Sequence, residues 1–262
     1  MTDIELGALA AEIALEAGEL AARRRREGVH LAATKSTLAD IVTDADREVE
    51  ALIRDRLAAE RPDDGFLGEE SGAAGGTSGL TWVVDPIDGT VNYSYGIPAY
   101  SVSIAVVEGE PEPEAWAGVA AAVCAPGLGE LFTAVRGEGA WHDGARLAVT
   151  TETPAGALLA TGFGYDPSTH DGDLATVRRV MTMARDLRRM GSAAIDLSYV
   201  AAGRLDGFFE RGLNPWDFAA GAILVGEAGG AVSRIDTDAP RPLLFAGGPD
   251  VHARLAGLLA AG

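Results

Sequence analysis

The sequence predicts an α+β protein made of two halves that differ in their pattern of helices and strands. Residues 1–148 combine two amphipathic helical patterns with several apolar runs typical of an antiparallel sheet. Residues 149–262 alternate short apolar runs with helical patterns, which is typical of βα units. The chain has 262 residues, 47% of them hydrophobic, so a large core is possible. We find no internal repeat and no long linker, and therefore expect the two halves to pack as one body.

The first helix is predicted over residues 3–27, where apolar residues recur at helical spacing: Leu6, Leu9, Ile13, Ala17 and Leu20. Four arginines at 23–26 precede Gly28. Cations favour a helix C-terminus and glycine is a common stop, so we interpret this run as a helix end rather than an anion site.

The second helix is predicted from Thr43 to about Ala59, and Asp46 lies at capping-box spacing from Thr43. Residues 30–39 before it are polar and irregular and contain Lys35. Residues 71–79 are small and glycine-rich, which predicts a mobile surface loop.

The remaining elements follow from apolar runs and turn signals. In the first half we predict strands at 101–107, 116–123 and 130–135, and a hairpin at Asp143-Gly144. In the second half we predict strands at 158–162, 187–190, 205–210, 231–235 and 243–246, and helices at 173–185, 192–202, 216–228 and 249–261.

Charge and composition restrict the class of partner. The formal net charge is -18, from 39 acidic and 21 basic residues. Such a balance disfavours nucleic acid or an anionic membrane as a general partner, and a phosphate substrate would need a local positive centre. The single Cys124 excludes an intrachain disulfide and fits a reducing cytoplasm. No apolar run reaches membrane-spanning length and the N-terminus lacks a signal-peptide pattern, so we expect a cytoplasmic protein.

Residues 82–90, Trp-Val-Val-Asp-Pro-Ile-Asp-Gly-Thr, carry the strongest functional pattern. A short apolar run predicts a buried strand that ends in a carboxylate, and Asp-Pro and Asp-Gly then favour a turn. Carboxylates at such a turn suit hard cations, and the free N–H groups of a following helix suit phosphate. This turn therefore has the parts for a metal-assisted phosphate reaction.

Four acidic residues fall at predicted element boundaries: Glu69, Asp85, Asp88 and Asp217. Each alone has a simpler interpretation, namely a turn, a solvated surface or a helix cap. Grouped around one point, they would repel each other unless cations lay between them. Oxygen ligands favour Mg²⁺ or Mn²⁺ over zinc, and the four histidines have no zinc-ligand spacing.

The chain resembles the inositol monophosphatase family, within the lithium-sensitive, Mg²⁺-dependent sugar-phosphatase superfamily. The matching motifs cover almost the whole chain in order: Gly-Glu-Glu-Ser at 68–71, residues 82–93, Gly-Ser-Ala-Ala at 191–194, Trp-Asp at 216–217 and Gly-Glu-Ala-Gly-Gly at 226–230. The resemblance implies a five-layer α-β-α-β-α sandwich of the inositol monophosphatase/fructose-1,6-bisphosphatase type, with the site between the two halves.

The resemblance also implies a set of cation ligands. Glu69, Asp85 and the Ile87 carbonyl would hold one Mg²⁺. Asp85, Asp88 and Asp217 would hold a second, and Glu69 would help to place a third.

For catalysis, the resemblance implies that Asp46 and Thr90 orient and deprotonate a metal-bound water. Lys35 would approach the metal region on its loop. We expect direct in-line attack by water without a phosphoenzyme. The ordinary interpretations remain a capping role for Asp46 and a plain loop position for Lys35.

For the substrate, the resemblance implies that the backbone of Gly89 and Thr90 holds the phosphate. Polyol hydroxyls would meet Asp88, Gly191, Ser192, Ala193 and Glu210. The simpler interpretations are a cap for Ser192, a solvated strand end for Glu210, and a surface pair for Arg188 and Arg189. Residues 162–165, Gly-Phe-Gly-Tyr, depart from the segment that contacts inositol in animal relatives, and Val91 replaces the lysine common in histidinol-phosphatase relatives.

The function we infer is hydrolysis of myo-inositol monophosphate. The alternatives are a related phosphatase acting on histidinol phosphate, fructose 1,6-bisphosphate or a 3′-phosphoadenosine nucleotide, and a regulatory binding protein that retains the fold. A homodimer and inhibition by lithium are expectations of the family.

Overall fold

Helices and sheets alternate in five layers, which confirms the α-β-α-β-α prediction. The structure is a computed structural model and describes residues 1–28, 31–34, 41–109, 115–164, 166–236 and 242–260. The helices are α1 Asp3–Glu27, α2 Asp44–Glu60, α3 Thr90–Tyr95, α4 His170–Val180, α5 Ala193–Ala201, α6 Pro215–Glu227 and α7 Pro249–Leu259.

The strands form one large sheet, one smaller sheet and a short ribbon. They are β1 Leu31–Thr34, β2 Ile41–Thr43, β3 Gly65–Gly68, β4 Gly72–Ala74, β5 Leu80–Asp88, β6 Ser101–Gly109, β7 Trp116–Ala125, β8 Glu130–Val135, β9 Gly139–His142, β10 Ala145–Arg146, β11 Ala157–Thr161, β12 Ala184–Arg188, β13 Gly207–Arg211, β14 Ala231–Ile235 and β15 Leu243–Gly247.

The eight-stranded sheet has the order β10-β9-β8-β7-β6-β5-β3-β4, and the five-stranded sheet has the order β12-β11-β13-β15-β14. The prediction of an antiparallel sheet in the first half is wrong at one place, because β3 pairs with β5 in parallel. In the second sheet β11 is parallel to β12 and to β13, whereas β15 is antiparallel to β13 and β14.

Both faces of the eight-stranded and the five-stranded sheet pack against helices, because successive side chains along a strand point to opposite faces of the sheet. On β5, Trp82 and Val84 pack with the first two helices, while Val83 faces the opposite core. On β13, Phe208 packs in the central core and Phe209 in the outer one. Among the described residues, three large hydrophobic clusters separate the layers, and a small fourth one contains Ala125 and Ile195. α1 and α2 cover one side of the large sheet, α5 and α6 lie between the sheets, and α4 and α7 cover the far side of the small sheet.

Most predicted elements occur with shifted ends, but four predictions are wrong at least in part. The helix predicted at 173–185 ends at Val180, because Ala184–Arg188 pairs in parallel with β11. This strand replaces the one predicted at 187–190. The loop predicted at 71–79 contains β4, which pairs with β3. The irregular segment predicted at 30–39 contains β1, which pairs with β2.

No helix in the described part of the chain is both long enough and apolar enough to cross a membrane.

Candidate active site

One cavity of about 460 Å³ collects side chains from both sheets. It is lined by the ends of β5, β11 and β13, the segment that leads into α5, and the first turns of α3 and α6. The lining includes most of the predicted site residues: Glu69, Asp85, Ile87, Asp88, Gly89, Thr90, Gly191, Ser192, Ala193, Glu210 and Asp217.

The end of β5 places two carboxylates in this cavity, and the turn predicted directly after Asp85 is wrong because β5 continues to Asp88. The register with β6 shifts between Asp85 and Asp88, where Pro86 has no N–H to offer the ladder. The Asp85 carboxylate accepts a hydrogen bond from the Ile87 amide at 3.1 Å and is 2% exposed. Gly89 follows with a φ of 94°, a left-handed conformation that lets the chain enter α3 at once.

Asp88 connects the two halves of the chain. Its Oδ2 accepts hydrogen bonds from the Ser192 hydroxyl at 2.6 Å and from the Ala194 amide at 2.7 Å. Ser192 also caps α5, since its hydroxyl accepts a hydrogen bond from the Ile195 amide at 3.3 Å. The cap predicted from the sequence therefore coexists with a contact to a site carboxylate. Burial raises the pKa of Asp88, although the Ser192 hydrogen bond opposes the shift.

Asp217 reaches the cavity from the first turn of α6. Its Oδ2 accepts a hydrogen bond from the Asn214 amide at 2.6 Å, as part of a capping box. Burial raises the pKa of Asp217, and the negative charges of Asp88 and Glu69 raise it further. Burial likewise raises the pKa of Asp85, with added repulsion from Glu69, Asp88 and Asp217. These carboxylates therefore share one electrostatic environment.

Asp46 lies just behind the cavity wall, at the first turn of α2. Its Oδ2 accepts a hydrogen bond from the Thr43 amide at 2.8 Å, as part of the predicted capping box. Its Oδ1 accepts a hydrogen bond from the Thr90 hydroxyl at 3.2 Å. The Thr90 hydroxyl also lies 3.0 Å from the Ile87 carbonyl oxygen. Burial raises the pKa of Asp46 to about 7, although the hydrogen bonds from Thr43 oppose the shift.

Glu210 and Arg189 also line this cavity. Burial raises the pKa of Glu210 to about 8, and the positive charge of Arg189 limits the increase. Gly162 borders the same carboxylate so closely that any Cβ at this position would overlap it. Glycine at 162 thus makes room for Glu210.

Arg188 and Arg189 are both exposed, as expected for a surface pair, and one of them also reaches the cavity. Arg188 is exposed and pairs with Asp186 at 2.8 Å, but the chain leaves β12 after Arg188 and Arg189 lines the cavity. Sequence reasoning missed Arg211, whose guanidinium pairs with Asp173 at 3.3 Å and which also lines the cavity. The predicted strand stopped at Glu210, one residue too early. Phe163, Asp166 and Thr169 are further lining residues that no motif indicated.

Lys35 lies outside the described residues, as does Tyr165.

The donor set fits a hard divalent cation by its chemistry, because the four acidic side chains and the Ile87 carbonyl offer only oxygen. In the part of the chain that the structure describes, no three His, Cys, Asp or Glu side chains stand close enough together to hold a metal ion. The carboxylates would therefore have to converge around a cation, which would also offset their mutual repulsion.

A five-layer sandwich with an oxygen-rich cavity between its sheets is the fold of solved phosphatases of the inositol monophosphatase type. The family model of the inositol monophosphatase family matches residues 4–261. The chain belongs to this family.

Individual relatives carry two kinds of name. Over 218 residues the chain is 44% identical to the inositol-1-monophosphatase of Rhizobium meliloti, covering 82% of this chain and 80% of that protein. Over 229 residues it is 43% identical to the Nus factor SuhB of Escherichia coli K12, covering 86% of this chain and 83% of that protein. Among solved structures, the extragenic suppressor protein SuhB of Bartonella henselae has a TM-score of 0.85 at 37% identity, with 96% of each chain covered.

Proposed function

We propose that this protein is a Mg²⁺-dependent phosphomonoesterase that hydrolyses myo-inositol monophosphate to inositol and phosphate. The observation that carries the proposal is that Glu69, Asp85, Asp88 and Asp217 all line one cavity, together with Glu210. Relatives from Rhizobium meliloti and Mesorhizobium japonicum named inositol-1-monophosphatase, 44% and 42% identical, support the substrate.

The four acidic side chains and the Ile87 carbonyl would hold two or three Mg²⁺ ions, or Mn²⁺ in their place. When bound, such ions supply a water nucleophile near neutral pH and neutralise charge on the phosphate and the leaving oxygen.

Asp46 and Thr90 would direct the attacking water. A general base works best when its pKa lies near the operating pH, and burial places the pKa of Asp46 at about 7. The Thr90 hydroxyl lies within reach of Asp46 and of the Ile87 carbonyl, so it can orient a water beside the phosphate. Lys35 would assist from the segment before β2. The attack is direct, and trapping of a covalent phosphoenzyme would refute it.

The phosphate and the alcohol would occupy different ends of the cavity. The backbone of Gly89 and Thr90 would hold the phosphate at the start of α3. Glu210 would accept hydrogen bonds from the alcohol hydroxyls, helped by Asp88 and the segment 191–193. Arg189 beside Glu210 would keep part of that carboxylate charged and give the alcohol a hydrogen-bond donor.

A substrate panel tests this proposal. We expect Mg²⁺-dependent phosphate release to have the highest kcat/KM with inositol monophosphate. Histidinol phosphate, fructose 1,6-bisphosphate and a 3′-phosphoadenosine nucleotide serve as competitors. If inositol monophosphate is the poorest of the four, the proposed substrate is wrong and one of the related phosphatase activities replaces it.

The relatives named Nus factor SuhB favour a second candidate, a regulatory binding protein. Asp88→Asn distinguishes the two, because loss of a ligand charge should abolish phosphate release while a binding role survives. A phenotype of a deletion strain that Asp88→Asn rescues fully would support regulation; failure to rescue would support catalysis.

We also propose a homodimer and inhibition by lithium. Sedimentation equilibrium tests the first. A lithium titration at fixed Mg²⁺ tests the second.

A further inference from the structure

Glu50 is a buried carboxylate that takes no part in the proposed reaction. It lies on α2 one turn after Asp46 and is 3% exposed. Residues four apart lie on the same helix face, so Asp46 and Glu50 both point from α2 toward the large sheet. Burial of a carboxylate is costly unless hydrogen bonds satisfy it.

The partner of Glu50 is the turn that carries Glu69. The Glu50 Oε2 accepts a hydrogen bond from the Glu70 amide at 2.9 Å. On the other side of this turn, the Glu69 amide donates to the Val84 carbonyl of β5 at 3.2 Å. The turn is therefore fixed between α2 and β5, and Glu69 is the residue between the two attachments.

Gly68 shows how closely the Glu50 carboxylate packs against this turn. A Cβ at position 68 would overlap both Glu50 Oε2 and the Phe66 ring, so a larger residue there would require the carboxylate, the ring or the turn to move. Gly68, the first residue of the Gly-Glu-Glu-Ser motif, thus leaves room for the Glu50 side chain. The conformation of this motif therefore depends on a residue 18 positions earlier in the chain.

We propose that Glu50 is a positioning residue that sets the affinity of the site for its divalent cation by fixing Glu69. This inference rests on the proposed function, in which Glu69 is a cation ligand. A residue that hydrogen-bonds next to a metal ligand and orients it typically affects metal affinity. Its removal lowers that affinity by roughly 10–100-fold.

The test compares three variants at position 50. Glu50→Met fills the space without an acceptor, Glu50→Ala empties it, and Glu50→Gln keeps one oxygen that can accept from the Glu70 amide. Asp55→Ala is the matched control, because Asp55 is an exposed acid on the same helix. Mn²⁺ binding is measured directly by electron paramagnetic resonance, and the Mg²⁺ concentration for half-maximal phosphate release is measured beside it.

We expect Glu50→Met and Glu50→Ala to weaken Mn²⁺ binding and raise the half-maximal Mg²⁺ concentration by about tenfold or more, with kcat at saturating Mg²⁺ within about threefold of wild type. For Glu50→Gln and Asp55→Ala, the Mn²⁺ affinity and the half-maximal Mg²⁺ concentration should both stay within about threefold of wild type. Thermal melts identify any variant that does not fold, and the other acceptor-free variant then decides.

Unchanged Mn²⁺ affinity in a folded acceptor-free variant would overturn the inference while the proposed function stands. So would a loss in Glu50→Gln as large as in Glu50→Met, because the hydrogen bond would then not be the cause. A wild-type protein that binds Mn²⁺ but hydrolyses no phosphate monoester would instead refute the proposed function alone. A wild-type protein that binds no Mn²⁺ would refute both.

Discussion

Asp46 and Ser192 show how one side chain in this protein serves the fold and the site together. Asp46 caps α2 through the Thr43 amide and also reaches the Thr90 hydroxyl. Ser192 caps α5 and donates to Asp88. Because the caps hold these side chains in one orientation, the geometry of the site depends on the ends of the helices. Replacing either residue should therefore affect both stability and activity.

Thr90→Val tests the role of the hydroxyl. Valine keeps the volume and the backbone amide but removes the group next to Asp46, so we expect kcat to fall by roughly 10²–10⁴-fold. Thr90→Ser restores a hydroxyl and should recover most of the activity. Steady-state kinetics at saturating Mg²⁺ measure both, and equal kcat values for Thr90→Val and wild type would show that the hydroxyl takes no part.

The raised pKa of Glu210 predicts that the stability of the protein depends on pH. Its pKa rises from 4.5 in the unfolded chain to about 8 in the fold. The folded state therefore binds more protons between these values, so the free energy of unfolding falls as pH rises through this window and the loss is complete above about pH 8. Glu210→Gln removes the ionisation. Relative to wild type, this variant should gain about 2–4 kcal/mol between pH 5 and pH 9, a range reduced because the cavity admits water.

Urea unfolding in the presence of a chelator measures this difference at both pH values. Glu138→Gln, at an exposed position, is the control and should show no such gain. A constant difference between Glu210→Gln and wild type across this range would contradict the raised pKa.

At the scale of elements, α3 is short but joins distant parts of the site. The Asn92 amide nitrogen donates to the Ala99 carbonyl and to the Met190 carbonyl, each at 2.7 Å. Met190 directly precedes Gly191 in the cavity wall. Asn92, which is 6% exposed, therefore holds the segment before α5 against the end of β5.

Asn92→Ala should destabilise the protein and loosen this wall. Two carbonyls lose a buried donor, and we expect a cost of about 2–4 kcal/mol in the free energy of unfolding. KM should rise more than kcat falls, because Gly191 is one of the residues that we propose to meet the substrate. Ser94→Ala on the same helix, which removes only a hydrogen bond to the Thr90 carbonyl at 2.9 Å, is the control. A smaller loss of stability for Asn92→Ala than for Ser94→Ala would show that the two hydrogen bonds from Asn92 do not stabilise this wall.

The sequence was informative where function and local structure coincide. The acids at 85 and 88 lie in one short motif whose residues reveal the chemistry, although β5 continues through both of them instead of turning after Asp85. Glu69 and Asp217 follow from motifs at their own turns. The parallel pairing of β3 with β5 joins segments that no local pattern connects. Arg188 and Arg189 look alike in sequence and are both exposed, and only the position of the end of β12 shows that Arg189 also lines the cavity. Likewise, pairing with β11 overrides the helical pattern near residue 184.

At the scale of the whole molecule, the net charge of -18 opposes the approach of an anionic substrate. Salt screens such long-range repulsion, since the Debye length is about 10 Å at 0.1 M ionic strength. We expect kcat/KM for a phosphate monoester to rise by a few fold when NaCl increases from about 10 to 100 mM at fixed free Mg²⁺, while kcat stays constant. Initial rates at low substrate concentration measure this, and a decrease in kcat/KM would indicate that local positive charge dominates the encounter.

The close contact between Gly162 and Glu210 also limits how this cavity can evolve. A Cβ at 162 would overlap the Glu210 carboxylate, the end of a flexible side chain, so a substitution there forces this carboxylate to leave its present place in the cavity. Shortening Glu210 first removes the overlap and leaves Gly162 unchanged. A change of alcohol preference that uses both positions should therefore more often alter position 210 before position 162, and sequencing the intermediates of a directed-evolution experiment measures this order.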